Sequence, residues 1–471
     1  MIASDFLIMR HELLLTAAIV IILLAEIFYA KRSNPSFLPV LLFSLVLIAG
    51  FIPASSGELF GGGYVTDGLR ILMKNILNTG VFIILLQSLN WLSNSSNEGK
   101  RSEFYILLFS TLVGMNFMIS SGDFLMFYIG LELSAIPLAA LAAFDKYKRQ
   151  SAEAGIKMIL TAAFSSGVML FGISMLYGST GTLSFAEITG MISGSPMQLL
   201  GFIFFVSGIA FKISLVPFHF WTPDVYEGAP ISVTSYFSVI SKGSAVFIFI
   251  ILLFTVFRNM VDQWQPFVYG LAVLTMTIGN LFAIRQQNFK RFLAFSSIAQ
   301  AGFILLGFIG GAQSGMASVI YFVPVYIFSN LAAFGVVSII SDKTGKENIN
   351  DYDGLYKTNP KLSLALMLAL FSLAGIPPLA GFFGKFFLFS SAAAAGYYWL
   401  LFIAVINATI SLYYYLLPVK AMFINKSETP ILHFSSNTSA RIALVICIAG
   451  LIITGFAGEI FDYINSLSFG I

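Results

Sequence analysis

The sequence predicts an all-α polytopic membrane protein of about 14 spanning helices, with two inverted five-helix repeats that each contain a broken helix. Three observations lead there. Of the 471 residues, 58% are hydrophobic and 10% are charged, where a soluble domain carries about 25% charged residues. A water-soluble core cannot hide that much apolar surface, and the mean hydropathy of +0.89 agrees. Apolar runs of about 20 residues recur along the chain, the length a helix needs to cross a bilayer. Proline interrupts the fourth run in each of two consecutive sets of five, at Pro217 and at Pro377-Pro378.

In order, the predicted spans are 12–30, 37–54, 70–92, 104–121, 123–144, 153–177, 197–218, 230–257, 265–284, 291–311, 316–341, 362–394, 397–424 and 440–465. Asp5, Arg10, His11 and Glu12 precede the first run and no small-residue cleavage site follows it, so it reads as a retained helix. Alternating helices put seventeen Lys and Arg on one side, among them Lys31, Arg32, Lys100, Arg101, Lys146, Lys148 and Arg149. Four, Arg10, Arg70, Lys74 and Arg258, fall on the other. The Lys/Arg-rich side is cytoplasmic, so both termini are expected outside. This organisation divides the chain into N-terminal helices (1–103), a first repeat (104–257), a second, inverted repeat (258–424) and a C-terminal helix (425–471).

The four remaining basic residues, Lys157, Lys212, Lys242 and Lys385, lie inside predicted spans. A lysine at mid-bilayer costs about 2.5–3.5 kcal/mol by insertion scales, so each asks for a functional reason. Glu132 stands about 13 Å into its helix, nine residues past Asp123. Lys157 follows on the next helix, and the two are read as a pair whose making and breaking alters the proton affinity of a further group; a fixed pair that orients two helices is the plainer reading. Lys212 lies just before Pro217, which lacks an N–H and leaves a helical carbonyl without its partner. Irregular backbone at membrane depth survives only inside protein or beside water. Removal from water disfavours the charged form of an amine, so its proton becomes exchangeable. His219, two turns on, can relay a proton because one ring nitrogen accepts while the other donates. Lys242 lies in the following span. Lys385 repeats the arrangement after Pro377 and Pro378, and interrupted helices at matching places in two halves mark a transport site. The single cysteine, Cys447, reads as a small buried residue, and Asn94-Ser95-Ser96 as a glycosylation pattern on the wrong side of the membrane. The sequence shows no ligand set for a metal, haem, flavin, iron–sulfur cluster or nucleotide.

The stretch Phe211-Lys212-Ile213-Ser214-Leu215-Val216-Pro217-Phe218-His219-Phe220-Trp221-Thr222-Pro223-Asp224-Val225-Tyr226-Glu227-Gly228-Ala229-Pro230 resembles the signature of the antiporter-like membrane subunits of proton-pumping NADH:quinone oxidoreductase (complex I), relatives of multisubunit cation/proton antiporters. Its Trp-Thr-Pro-Asp-Val-Tyr-Glu-Gly form is most similar to subunit N (mitochondrial and chloroplast subunit 2); subunits L and M usually read Trp-Leu-Pro-Asp-Ala. Leu131-Glu132-Leu133, Gly155-Ile156-Lys157, Ser241-Lys242-Gly243 and Gly375–Lys385 match as well, so the resemblance covers nearly the whole chain.

The resemblance implies that Glu132 and Lys157 form the coupling pair and that Lys212 loads the proton. Lys242 and His219 would relay it, and Lys385 would release it outward. Where many relatives carry His, this chain has Gln300, which cannot change charge. The resemblance further implies a bacterial inner-membrane location and neighbouring subunits M, K and J within the lipid. FMN, iron–sulfur clusters and quinone would belong to other subunits, with no redox centre here. No nucleic-acid partner is expected. A cation/proton antiporter subunit and a structural spacer are the competing readings.

Overall fold

The computed structural model describes residues 5–28, 37–53, 55–94, 97 and 99–467; Lys31, Arg32 and Ser95-Ser96 lie outside them. The first helices are α1 (Arg10–Phe28), α2 (Phe37–Gly50), α3 (Gly68–Leu92), α4 (Arg101–Ile119), α5 (Phe124–Ala142) and α6 (Arg149–Thr180). A two-stranded hairpin, β1 (Gly57–Leu59) and β2 (Tyr64–Thr66), joins α2 to α3. Next come α7 (Phe185–Met191), α8 (Pro196–Ile213), α9 (Trp221–Gly228), α10 (Ile231–Tyr236) and α11 (Lys242–Phe254). The second half holds α12 (Val261–Ala283), α13 (Phe289–Ile309), α14 (Ala312–Thr344), α15 (Leu355–Thr358), α16 (Pro360–Ala374), α17 (Ala380–Ala394) and α18 (Tyr398–Phe423). The chain closes with α19 (Thr438–Phe456) and α20 (Gly458–Leu467).

Among the described residues, 12 helical stretches are long and apolar enough to span a membrane, and Phe37–Gly50, Pro360–Ala374 and Ala380–Ala394 are shorter apolar helices. With the last two taken as halves of one broken helix, these account for the spans predicted. The predicted 440–465 helix stops at Phe456, because the backbone leaves helical geometry at Ala457 (φ −91°, ψ 80°).

Local chemistry starts these helices where the sequence changes character. The Asp123 carboxylate accepts from the Met126 amide at 2.6 Å and opens α5. Ser195 and Gln198 form a capping box ahead of α8, with Pro196 in the first turn. Asn288 caps α13 through the Lys290 and Arg291 amides. The first two helices of each half close on glycine. A Cβ at Gly114 would lie 2.5 Å from the Ser134 amide, and one at Gly130 2.6 Å from the Met118 amide. Between α12 and α13, Gly279 and Gly302 make the same approach, 2.6 Å from the amides of Ala299 and Met276. Small residues let helices touch where burying apolar surface from lipid gains nothing.

The segments 231–254, α13 and α14 are enclosed by the other helices, whereas α6 presents Leu160 and Phe164 outward. This enclosed centre holds Lys242, Ser297 and Gln300, all buried.

Lys74 and His11 depart from the expectation that both lie at the outer surface. α3 begins at Gly68, so Lys74 is more than a turn inside it, fully enclosed. Its ammonium donates to Glu12 (2.6 Å) and to the Tyr64 hydroxyl (2.9 Å). His11 is buried against Asn75 at 3.0 Å.

Candidate functional site

The first break is a Schellman turn. Ser214 takes a left-handed conformation (φ 68°), the Leu215 amide donates to the Ala210 carbonyl (2.8 Å), and the Ser214 amide donates to Phe211 (3.0 Å). The Trp221 indole donates to the Phe211 carbonyl at 3.0 Å, so a side chain from the far side of the break joins the Ser214 amide on the last turn of α8. Lys212, in the last turn before the break, donates to Ser134 Oγ of α5 at 2.5 Å. It shares a cavity of about 20 Å³ with Glu132, Ser165 and Ser166, room for about one water molecule. Glu132 Oε1 is buried with no hydrogen-bond partner among the described residues. His219 is buried against the ring of Phe220, and its Nδ1 is likewise unpartnered. Buried polar atoms in such positions are as a rule satisfied by ordered water.

The expected contact between Glu132 and Lys157 is not made. Lys157 Nζ pairs with Asp224 Oδ2 of α9 (2.7 Å) and with Glu153 one turn back on its own helix (2.8 Å). Asp224 and Glu153 are within ion-pair reach of the ammonium and Glu132 is not. The cation that Glu132 meets across the cavity is Lys212.

At the centre, a π-turn (Phe237–Ser241) runs directly into Lys242, and such turns recur at functional positions. Lys242 is buried and donates to the Ser297 carbonyl (3.0 Å) and hydroxyl (2.9 Å) of α13. Nearby, Ser238 and Tyr326 share a hydrogen bond at 3.0 Å. One turn along α13, Gln300 Nε2 donates to the Leu373 carbonyl at the second break (2.9 Å) and to the Tyr415 hydroxyl (3.1 Å), which also bonds Ser296 at 2.5 Å. Gln300 is thus a fixed bridge between Lys242's helix neighbour and the second break.

The second break repeats the first turn at Gly375 (φ 88°). The Ile376 amide donates to Phe371 and the Gly375 amide to Ser372, both at 3.0 Å. Lys385, buried in α17, donates to the Ala374 carbonyl (3.0 Å) and lies 4.7 Å from the centre of the Phe303 ring. Both breaks contain a cis X–Pro bond, Val216-Pro217 and Pro377-Pro378.

Sequence reading did not find Ser134, Ser297, Tyr326 or Tyr415. Hydroxyls at such positions are common in helices, and only the folded neighbours distinguish these. Asp224 was in plain view within the signature, yet its partners lie on two distant helices.

The transmembrane family described as NADH:quinone oxidoreductase/Mrp antiporter matches residues 121–411. NADH-quinone oxidoreductase subunit N of Phocaeicola vulgatus is 50% identical over 460 residues, covering 97% of each chain. The chain belongs to this subunit N family. Its counterpart in Azobacteroides pseudotrichonymphae is 49% identical over 99% of each chain. Among solved structures, a chain of respiratory complex I from Thermus thermophilus with bound aureothin superimposes with a TM-score of 0.81 at 28% identity, covering 96% of this chain and 98% of that one. The subunit N family therefore supplies the identity that the signature around Lys212 pointed to, and the protein is a multi-pass membrane subunit of an oxidoreductase complex.

Proposed function

We propose that this subunit carries protons across the bacterial inner membrane, driven by quinone reduction elsewhere in the complex, with Glu132 and Lys157 as the coupling pair and the proton passing along Lys212, His219, Lys242 and Lys385. One observation carries the reading. Lys74 and Lys157 are ion-paired, whereas Lys212, Lys242 and Lys385 form no ion pair among the described residues and are held by hydroxyls and carbonyls. A fixed structural ammonium is best matched by a carboxylate; one that gives up its proton needs neutral partners, which do not leave an uncompensated negative charge behind. Pro217, Pro377 and Pro378 open the helices so that backbone carbonyls stand in that path.

In this reading the division at residues 103, 257 and 424 separates the N-terminal helices, two proton-conducting repeats and the C-terminal helix. Both termini face the periplasm. The chain holds no redox centre; FMN, iron–sulfur clusters and quinone belong to other subunits, and subunits M, K and J are its membrane neighbours.

The test is Lys212→Ala in the assembled, reconstituted complex. Redox-driven proton uptake should fall by about tenfold or more while the subunit remains in the complex, because the chain of exchangeable groups is cut at its first member. Full pumping by an assembled Lys212→Ala complex would overturn the route. Mass spectrometry of the purified complex separates this reading from that of a free-standing cation/proton antiporter, which would lack the quinone-reducing subunits.

A further inference from the structure

The short helix α9, which follows the first break, ties together charged groups of both halves. Asp224 Oδ2 takes Lys157 of α6 at 2.7 Å, and its Oδ1 takes Arg291 Nη1 of α13 at 2.9 Å. Arg291 also pairs with Glu227 at 2.8 Å, and Lys157 with Glu153 at 2.8 Å. The close of α9 is seated on α6, since a Cβ at Gly228 would lie 2.4 Å from the Gln150 carbonyl. On the same helix, Ala162 of the Lys212 cavity stands five residues beyond Lys157, about 7.5 Å further along the axis. On the opposite wall of that cavity Glu132 keeps an oxygen with no partner.

We infer that Asp224 is the rival acceptor for Lys157. It holds the ammonium away from Glu132 while Glu132 faces Lys212, and Arg291 links that choice to α13, the helix whose Ser297 and Gln300 hold Lys242 and the second break. The charges favour an exchange with a counterweight. With Lys157 in place, three carboxylates share two cations; if Lys157 swings toward Glu132, Asp224 and Glu227 are left with Arg291 alone and Glu153 loses its ammonium. That imbalance pulls the ammonium back, which makes the pair reversible. Asp224 is a positioning residue here, acting on the proton route only through Lys157. The inference rests on the proposed role of Glu132, Lys157 and Lys212.

The experiment measures quinone-reductase turnover and proton uptake of the whole complex in vesicles. Asp224→Asn should lower turnover by about fivefold, the lower range of typical coupling between sites, and Asp224→Glu should restore most of it. In a Lys157→Met background the Asp224→Asn change should add no further loss, because the group it positions is gone. An equal loss in that background, or full turnover in Asp224→Asn alone, would overturn the inference. Arg291→Gln, which leaves Asp224 to Lys157 alone, provides an independent variant, and its loss should also vanish with Lys157→Met. Lys212→Ala run in parallel keeps the two ideas apart: full pumping there removes the proton route itself, whereas additive losses at Asp224 and Lys157 remove only the exchange.

Discussion

At the first break the lysine precedes the turn, on α8; at the second it follows the turn, on α17. The turn itself is the same in both places, with matching amide-to-carbonyl bonds around Ser214 and around Gly375. What surrounds it differs. Lys212 faces a carboxylate, Glu132, across a small cavity and rests on a hydroxyl. Among the described residues no carboxylate pairs with Lys385; it rests on the carbonyl of Ala374 and over the face of Phe303, a contact worth about 2 kcal/mol when desolvated. The comparison teaches that the backbone interruption is the shared scaffold, and that side chains set each half's task. A lysine beside a movable carboxylate can have its proton affinity adjusted. A lysine over a neutral ring and carbonyl cannot, and is suited to passing on what it receives.

The strongest way to break the comparison is to block the second turn without touching a charge. A Cβ at Gly381 would lie 1.7 Å from the Ser372 carbonyl, a backbone clash that no rotamer relieves. Gly381→Ala should cost about 3 kcal/mol or more and remove the subunit from the purified complex, read by its band or peptide yield. Normal assembly would show that the second break has slack that the first turn's tight capping lacks. Next in size is Lys385→Ala. If the second lysine only passes protons on, pumping should fall by about tenfold, as at Lys212, yet added Glu132→Gln should cause no further loss. A further loss on adding Glu132→Gln would mean that the two halves act independently and that the asymmetry carries no functional meaning.

Much of this architecture is legible in the sequence. The spans, both breaks and the intramembrane Lys212, Lys242 and Lys385 follow from composition, proline and the cost of charge in lipid. What remained hidden shares one physical cause. The partner of a charged group is chosen by distance, and distance depends on helix rotation, which sequence spacing does not set. Lys157 went to Asp224 of α9 instead of Glu132 for that reason. Lys74 reads as an outer-face charge in the sequence because its partner, Glu12, lies 62 residues away on α1. Gln300 had no visible role because its acceptor, the Leu373 carbonyl, exists only where α16 ends.

The smallest effect should come from one of two supporting hydroxyls, and the pair sharpens the contrast between Lys212 and the central lysine. Lys212 donates to the Ser134 hydroxyl, whereas Lys242 has both the hydroxyl and the carbonyl of Ser297. A hydrogen bond to a charged group contributes about 1.5–3 kcal/mol. Ser134→Ala takes away the hydrogen bond that holds Lys212, so proton uptake should drop about tenfold. Ser297→Ala leaves the carbonyl in place, and uptake should stay within about twofold of the unmodified complex. Vesicle pumping assays on the two variants, side by side, give the ratio directly. Equal losses would mean that Lys242 depends on the hydroxyl as a proton carrier and not merely as a support, which would move Ser297 into the route itself.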